Sequence, residues 1–159
     1  MPTLTNQPPK GILRALLRLP IWLYRLNLGW LLGDRFLLLS HTGRKSGRTY
    51  QTVIEVVDYD HERGIYTVAS GWGEGADWYQ NILVSTEVTI QVGRDQFKAR
   101  AVPLAEHEAQ ERLFAYAQKH AGAFRELSYL MLGERLRPVQ EDIHKMAQKI
   151  PLVEFRTQP

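Results

Sequence analysis

No cysteine occurs among the 159 residues of this sequence. Disulfide bonds, cysteine-ligated zinc sites and thiol catalysis are therefore excluded, and a reducing cytoplasm is the expected location. A clean transmembrane span and a secretory signal are also missing from the pattern, because Arg14, Arg18, Pro20 and Arg25 interrupt the apolar stretch 12–32 and no small-residue cleavage site follows it. The length allows one buried core and is too short for two ordinary domains.

Signals of a metal site are equally scarce. The histidines at positions 41, 61, 107, 120 and 144 show no ligand spacing with acids on one helix face, so no metal is expected. The carboxylates of Glu106, Glu108 and Glu111 are most simply a solvated helix face, since paired catalytic carboxylates need burial.

Positive charge is concentrated at the beginning of the chain. The net charge is +3, but residues 1–50 contain eight basic residues against one acid, a net of +7. This asymmetry points to an anionic partner, which composition alone leaves open between nucleic acid, a phosphorylated or carboxylated small molecule and an acidic membrane. Lys10, Arg14 and Arg18 recur every four residues on an amphipathic helix. Packing on its own domain is the favoured interpretation of that helix, and peripheral membrane contact through residues 10–32 is the other.

Hydrophobic periodicity predicts an α+β fold. Helices are expected at about 11–19 and 20–32, a short helix at 76–84 with Asp77 and Gln80 spaced as an N-terminal capping box, and helices between 105 and 149 with breaks near Gly122, Gly133 and Pro138. Alternating patterns predict six strands, at 35–40, 49–59, 65–70, 87–92, 96–103 and 151–155. Because closure leaves no exposed edge, we expect a closed or nearly closed antiparallel barrel of about six strands.

The segments are assigned to one domain, 1–159. It comprises a helical N-terminal segment (1–32), a barrel core (35–104), a helical segment (105–149) and a closing strand (150–156).

The turn "GRKSGR" at 43–48 is the first candidate binding element. It is not a phosphate-binding Walker loop, because Lys45 and Ser46 precede the second glycine, Gly47. Its glycines expose backbone N–H groups, and Arg44, Lys45 and Arg48 supply charge-assisted donors for phosphate or carboxylate. A solvated hairpin tip is the competing interpretation.

The second candidate is "SGWGEGADWYQN" at 70–81, in which glycines and aromatics precede a helix. Flat aromatic rings beside flexible glycines suit a planar ligand whose polar edge Ser70 and Asn81 could read. Trp78 and Tyr79 could equally be core residues.

Four ordered motifs, "LLLSHTGRKSGR" (37–48), "TVASGWG" (67–73), "DWYQNI" (77–82) and "VTIQVG" (88–93), with "IPLVEF" (150–155) closing the chain, resemble the deazaflavin-dependent nitroreductase family. These split-barrel flavin-binding proteins use coenzyme F420, whose tail carries a phosphate and glutamates. The resemblance implies a tail-binding turn and a ring site. The implied coenzyme-binding residues are Arg44, Lys45, Ser46, Arg48, Tyr50, Gln51, Thr52, Val68, Ala69, Ser70, Gly71, Asp77, Trp78, Tyr79, Gln80 and Asn81.

The chain departs from the family pattern at Tyr50, at Gly71 and at Val53, where a basic residue, a lysine and a proline are usual. The first two departures bear on the affinity for the coenzyme tail. FMN is the less favoured cofactor.

The function that this resemblance implies is transfer of a hydride from reduced F420 to a quinone, enone or nitro compound, in a nitroreductase-like or quinone reductase-like enzyme. Trp72 and Tyr129 are the candidate acceptor-contacting residues, and no catalytic residue is predicted because the coenzyme carries the chemistry. The alternatives are a non-catalytic flavin or deazaflavin carrier and a basic surface protein for nucleic acid or anionic membrane. The main interpretation expects no nucleic-acid partner, and either a monomer or a homodimer.

Overall fold

The computed structural model describes residues 24–26 and 33–159. The strands are β1 (Phe36–Thr42), β2 (Thr49–Asp60), β3 (Ile65–Ala69), β4 (Glu87–Val92), β5 (Asp95–Pro103) and β6 (Leu152–Thr157). The helices in this part of the chain are α1 (Asp77–Val84), α2 (Glu106–Lys119), α3 (Ala121–Leu132) and α4 (Gln140–Lys149), and a 3-10 turn covers Gly73–Gly75. Each predicted strand is present, and its ends differ from the prediction by two residues at most.

The six strands form a closed antiparallel barrel in the order β1-β2-β3-β6-β5-β4. The pairs β1–β2, β2–β3 and β4–β5 form hairpins, and closure comes from three pairings between strands distant in the chain, β1–β4, β3–β6 and β5–β6. Leu39 on β1 lies opposite Ile90 on β4, and Val68 on β3 lies opposite Val153 on β6. The predicted α+β split barrel is therefore confirmed, with no unpaired edge among these six strands.

Alternation along the strands sends every second side chain into the barrel. On β1, Leu37 and Leu39 are fully buried in the interior cluster, and Ile90 on β4 is too. The same cluster contains Val68 and Phe155, from β3 and β6. The core therefore lies inside the barrel, and it holds the strand ends that carry the candidate site in fixed positions.

Helix α1 packs its buried face against this interior cluster. Ala76, Trp78, Tyr79 and Ile82 all belong to the cluster. The predicted capping box is wrong, because Ala76 occupies the N-cap without a side-chain hydrogen bond and the Gln80 side chain instead donates to the carbonyl oxygen of Glu74 at 2.6 Å.

The other helices form a second layer on the outside of the barrel. They bury Phe124, Leu113 and Ile143 against the barrel residues Ala69 and Leu152. The predicted break near Gly122 is displaced by two residues, because α2 ends at Lys119 and His120 separates it from α3. The second break is confirmed, since α3 ends before Gly133 and α4 begins at Gln140.

At the N-terminal side, only residues 24–26 before position 33 are described, as a helical turn. Tyr24 is buried beside Leu38, and its hydroxyl donates to the carbonyl oxygen of Phe36 at 3.1 Å. Most of the two predicted helices, 11–19 and 20–32, lies outside the described residues. Within residues 24–26 and 33–159, no helix has the length and apolar character that crossing a membrane requires.

Candidate functional site

The basic turn, residues 43–48, connects β1 to β2 and has a defined backbone. The Gly43 N–H donates to the Arg48 carbonyl oxygen at 2.8 Å, and the Gly47 N–H donates to the Gly43 carbonyl oxygen at 2.9 Å. Gly47 has a φ of 67°, a conformation that favours glycine. A Cβ at Gly43 would lie 2.5 Å from Cε2 of Tyr50. The turn backbone thus favours glycine at position 47, and Gly43 leaves room for the Tyr50 ring.

Two side chains stabilise the turn from within. The Ser46 and Tyr50 hydroxyls form a hydrogen bond of 3.0 Å, and the Arg48 N–H donates to Oγ of Ser46 at 3.3 Å. The Tyr50 ring stacks at a centroid distance of 6.2 Å on His41. Ser46 and Tyr50 therefore shape the turn, and Tyr50 fills the space beside Gly43.

Arg44 ties the turn to helix α1. Its backbone N–H and its Nη1 both donate to Oδ1 of Asn81, at 3.0 and 2.9 Å. Its guanidinium also lies 3.4 Å from Oδ1 of Asp77. The Asp77 side chain is 77% exposed, so this ion pair contributes little on its own. The amide of Asn81 is the main anchor of Arg44.

His41 completes this network from inside the barrel. Nδ2 of Asn81 lies 3.0 Å from Nδ1 of His41. Because Oδ1 of Asn81 accepts from Arg44, the amide nitrogen faces His41 as a donor, and Nδ1 of a neutral His41 accepts. Burial lowers the pKa of His41 from its ordinary value of 6.5 to about 4, against the opposing effect of the Asp77 carboxylate. His41 is therefore neutral at physiological pH.

The other two cations of the turn, Lys45 and Arg48, can contact a ligand. Lys45 and Arg48 are exposed, and within the described residues neither side chain has a hydrogen-bonding or ion-pair partner. The backbone N–H groups of Lys45 and Ser46 likewise have no acceptor in that part of the chain. Two cations and two adjacent N–H groups thus face outward on a rigid turn, a combination suited to an anion.

Gln51 and Thr52 extend the site into β2. Nε2 of Gln51 donates to Oγ of Ser40 at 3.2 Å, while its Oε1 accepts from the Arg25 guanidinium at 3.4 Å. Thr52 is half-buried and lies opposite Leu39 on β1. Gln51 thus connects residues 24–26 with the barrel.

The end of β3 is largely buried. Val68 and Ala69 are buried in the interior and outer clusters respectively, and β2 and β6 flank the strand. Ser70 is fully buried, and its hydroxyl donates to the Gly73 carbonyl oxygen at 2.7 Å. Gly71, which follows, is half-buried. The Ser70 hydroxyl proton is therefore already used within the loop.

The aromatic residues of α1 belong to the core. Trp78 and Tyr79 are each 8% exposed. Their rings meet edge to face at 6.0 Å, and Trp78 also lies 6.4 Å from the Phe155 ring. Of the two interpretations that the sequence left open for these rings, the structure supports core packing.

Trp72 and Tyr129 lie in different environments. Trp72 is half-buried and packs against the interior barrel cluster. Tyr129 is on α3, where the Arg135 guanidinium covers its ring at 4.1 Å from the centroid. No contact between these two residues is found among the described residues. Their joint role at an acceptor site stays a prediction.

The structure thus brings together the basic turn and two residues of α1, Asp77 and Asn81. Sequence reasoning missed His41, although a signal existed. His41 follows Leu37 and Leu39 at a spacing of two, so strand alternation placed it on the interior face of β1. Within residues 24–26 and 33–159, no group of three or more His, Cys, Asp or Glu side chains is placed to hold a metal.

This chain is similar in sequence to a mycobacterial protein. Rv3178 of Mycobacterium tuberculosis, named as an F420H(2)-dependent quinone reductase, is 31% identical over 78 residues, covering 49% of this chain and 65% of that protein. The match therefore spans slightly less than two thirds of the relative's length.

Solved structures agree on the fold. A pyridoxamine 5'-phosphate oxidase-related FMN-binding protein from Nostoc punctiforme matches 93% of this chain and 81% of its own, with a TM-score of 0.55 and 12% identity. A conserved protein of Mycobacterium tuberculosis, Rv2991, matches 86% of this chain and 80% of its own, with a TM-score of 0.52 and 14% identity.

A sequence model of one family covers most of the chain. The F420H(2)-dependent quinone reductase family matches residues 17–140. That range contains five of the six strands, the basic turn and α1. The chain therefore belongs to the F420H(2)-dependent quinone reductase family.

Proposed function

We propose that this protein is an F420-dependent oxidoreductase whose coenzyme, when bound and reduced, supplies a hydride to a small organic acceptor of the quinone, enone or nitro class. Family membership supports the coenzyme and the reaction class. The observation that carries the proposal is the basic turn, in which two exposed cations, without partners in the described part of the chain, belong to a backbone that Asn81 and Tyr50 hold in place.

The donor set of the turn fits the anionic tail of the coenzyme. Lys45 offers a compact ammonium, and Arg48 offers a guanidinium that can bind a phosphate or carboxylate through two parallel hydrogen bonds. The adjacent N–H groups of Lys45 and Ser46 add short-range donors. Because backbone hydrogen bonds and the contact between Ser46 and Tyr50 define the shape of the turn, little ordering entropy opposes binding.

The role proposed for Arg44 differs from that of Lys45 and Arg48. Its backbone N–H and its Nη1 are bonded to Asn81, and its Nη2 lies 3.4 Å from Asp77, so part of its donor set already serves the contact with α1. We assign Arg44 and Asn81 to fixing the angle between the turn and α1. Lys45 and Arg48 then make the contacts with the anion.

The ring site is proposed at the loop between β3 and α1. Gly71 and the half-buried Trp72 lie where this loop leaves the barrel. The buried rings of Trp78 and Tyr79 belong to the interior cluster against which Trp72 packs. Trp72 and Tyr129 remain the proposed acceptor-contacting residues.

The experiment that tests the proposal is a fluorescence titration of the full chain with oxidised F420, run beside FMN. The variant is the double substitution Lys45→Gln and Arg48→Gln. We expect saturable binding that prefers F420, and a loss of affinity in the variant of at least about tenfold, since hydrogen bonds to charged groups each contribute roughly 1.5–3 kcal/mol.

A matched control removes two positive charges elsewhere. Lys98→Gln with Arg100→Gln on β5 changes the net charge equally, and both residues are exposed. It should leave F420 affinity nearly unchanged. Equal losses in the two variants, or a preference for FMN, would contradict the tail-binding turn.

A second measurement separates an enzyme from a carrier. Menadione is added to the protein loaded with reduced F420, and the return of the oxidised coenzyme is followed by absorbance. Oxidation that is faster than that of free coenzyme supports an oxidoreductase. Tight binding without such acceleration would identify a carrier.

The broader assignments are proposals of the same kind. We propose one domain for residues 1–159, a cytoplasmic location and a monomeric or homodimeric state. The proposed peripheral membrane contact through residues 10–32 is tested by pelleting the full chain with anionic vesicles. Absence of pelleting at low salt would exclude that contact.

A further inference from the structure

A cavity of about 310 Å³ opens on the outer wall of the barrel, between α2 and the strands β3 and β6. It is separate from the basic turn. One of its lining residues, Arg63, lies in the turn that follows β2, whereas the basic turn precedes that strand. Its volume falls at the lower end of small-molecule sites, which measure roughly 300–1,000 Å³.

The floor of the cavity is a buried carboxylate with two arginines. The Glu154 side chain is 3% exposed. Its Oε1 accepts from Nη2 of Arg112 at 3.0 Å, and its Oε2 accepts from Nε and Nη2 of Arg156 at 3.1 and 2.9 Å. Glu154 thereby fixes both guanidiniums, while their side chains remain 41% and 52% exposed. The guanidinium N–H groups that do not bond Glu154 are the donors that this floor offers a ligand.

The wall and rim carry charges of both signs. Arg63 lines the cavity, with its Nε 3.8 Å from the Asp60 carboxylate. Glu108 and Glu111 line it from α2. Oε2 of Glu108 accepts from the backbone N–H of Ala105 at 3.0 Å. Glu111 has no hydrogen-bonding or ion-pair partner in the described part of the chain.

Three arginines and three glutamates leave this cavity without a net charge. An anion alone would be repelled by the glutamates, and a cation alone would be repelled by the arginines. A ligand that carries both charges satisfies both sets. Ile65 and Leu104, which also line the cavity, supply an apolar contact.

We propose that this cavity binds a small zwitterion of the free α-amino acid class, with an apolar side chain. The carboxylate of the ligand contacts the guanidinium edges of Arg63, Arg112 and Arg156. Its ammonium contacts the Glu111 carboxylate at the rim. Its side chain lies on Ile65 and Leu104. The site does not depend on the proposed redox function.

The test is a calorimetric titration of the full chain with L-leucine, N-acetyl-L-leucine and L-leucinamide. The first carries both charges, the second lacks the ammonium and the third lacks the carboxylate. We expect saturable binding of L-leucine, and binding of each analogue that is at least about tenfold weaker, because each loses one charged contact. No saturable binding of L-leucine, or equal binding of all three, would overturn the proposal.

Two variants and two matched controls assign the charges. Glu111→Gln should weaken L-leucine by about tenfold and should not weaken N-acetyl-L-leucine, since only the former has an ammonium. Arg63→Gln should weaken L-leucine and should not weaken L-leucinamide. Glu126→Gln on α3 and Arg100→Gln on β5 are the same chemical changes at exposed positions outside the cavity.

These variants avoid the buried Glu154 group, so the fold should be retained. Thermal unfolding measured beside each titration checks this point. If Glu111→Gln is folded and binds L-leucine as well as Glu126→Gln does, the zwitterion site is disproved.

Discussion

Two arginine–carboxylate contacts in this protein have the same chemistry and opposite surroundings. In the contact between Arg44 and Asp77, the carboxylate side chain is 77% exposed and lies 3.4 Å from the guanidinium. In the group formed by Arg112, Glu154 and Arg156, the carboxylate side chain is 3% exposed and lies about 3 Å from both arginines. Burial of the carboxylate, more than the pairing itself, therefore decides how much such a contact contributes to stability.

The reason is the competition with water. An exposed carboxylate keeps its hydration whether or not an arginine is near, so the pair gains little free energy. A buried carboxylate has lost its hydration and depends on its partners. Arg44 is accordingly held by the buried amide of Asn81, whereas Arg112 and Arg156 are held by the charge of Glu154 itself.

The largest effect is expected for Arg112→Gln, which removes one partner of Glu154. We expect the free energy of unfolding to fall by about 2–4 kcal/mol, because Oε1 of a buried carboxylate loses its charged donor. Urea denaturation measures the change. Arg100→Gln, which breaks the exposed pair with Glu87, is the control and should cost less than about 1 kcal/mol. Similar losses in the two variants would remove the distinction between the contacts.

An intermediate effect is expected from His41, the buried end of the Asn81 network. Burial lowers the pKa of His41 from 6.5 to about 4 in the folded protein. Between these two pH values His41 is therefore protonated in the unfolded chain and neutral in the folded protein. The stabilisation from neutral His41 is complete above pH 6.5 and is lost as the pH falls towards 4, with an upper limit of about 3 kcal/mol.

The measurement is the free energy of unfolding across that range for the wild type and for His41→Asn. The variant keeps an acceptor for Asn81 and has no titrating ring, so its curve should be flatter. His107→Asn on the exposed face of α2 should match the wild type. The lowered pKa values of Glu134 and Asp142, which arise from hydrogen bonds with Lys145 and Arg137, affect both proteins equally. Parallel curves would contradict the role given to His41.

The smallest effect is expected for Asp77→Asn, which neutralises the exposed carboxylate beside Arg44. The free energy of unfolding should change by less than about 1 kcal/mol. Asn81→Ala at the same contact should cost about 2 kcal/mol, since it leaves the Arg44 N–H and a buried His41 nitrogen without their partner. Thermal or urea denaturation of both variants checks the order, and a larger loss in Asp77→Asn would reverse our assignment of the anchor.

Several predictions from the sequence are confirmed by the barrel and the family. Each strand was found from local alternation, as in β4, whose predicted range 87–92 is the observed one. The resemblance carried by the basic turn and "DWYQNI" is confirmed by membership of an F420H(2)-dependent family. That membership supports the proposed F420 cofactor and the proposed oxidoreductase activity. These features depend on short segments, which a sequence displays directly.

Other site features could not be found in this way. In the sequence, Arg44, Lys45 and Arg48 are three equivalent cations. In the structure it is Arg44 that bonds Asn81, which lies 37 residues later in the chain. The capping box at Asp77 and Gln80 had the right spacing, but the chain enters α1 with Ala76 at the cap and the Gln80 amide turned back to Glu74. The contact between Arg44 and Asn81 is non-local, and the contact between Gln80 and Glu74 is set by the loop that precedes α1.

The sequence by itself determined the strands, the helix after the glycine-rich loop, the cationic turn and the family, because each depends on residue order over a short window. Only the tertiary structure decided that the strands close in the order β1-β2-β3-β6-β5-β4, which cation of the turn is anchored, and that Glu154 is buried between two arginines at the base of a cavity. Those outcomes depend on how α1 and α2 pack on the barrel. Packing joins residues that lie tens of positions apart, and a periodic pattern carries no information about such distances.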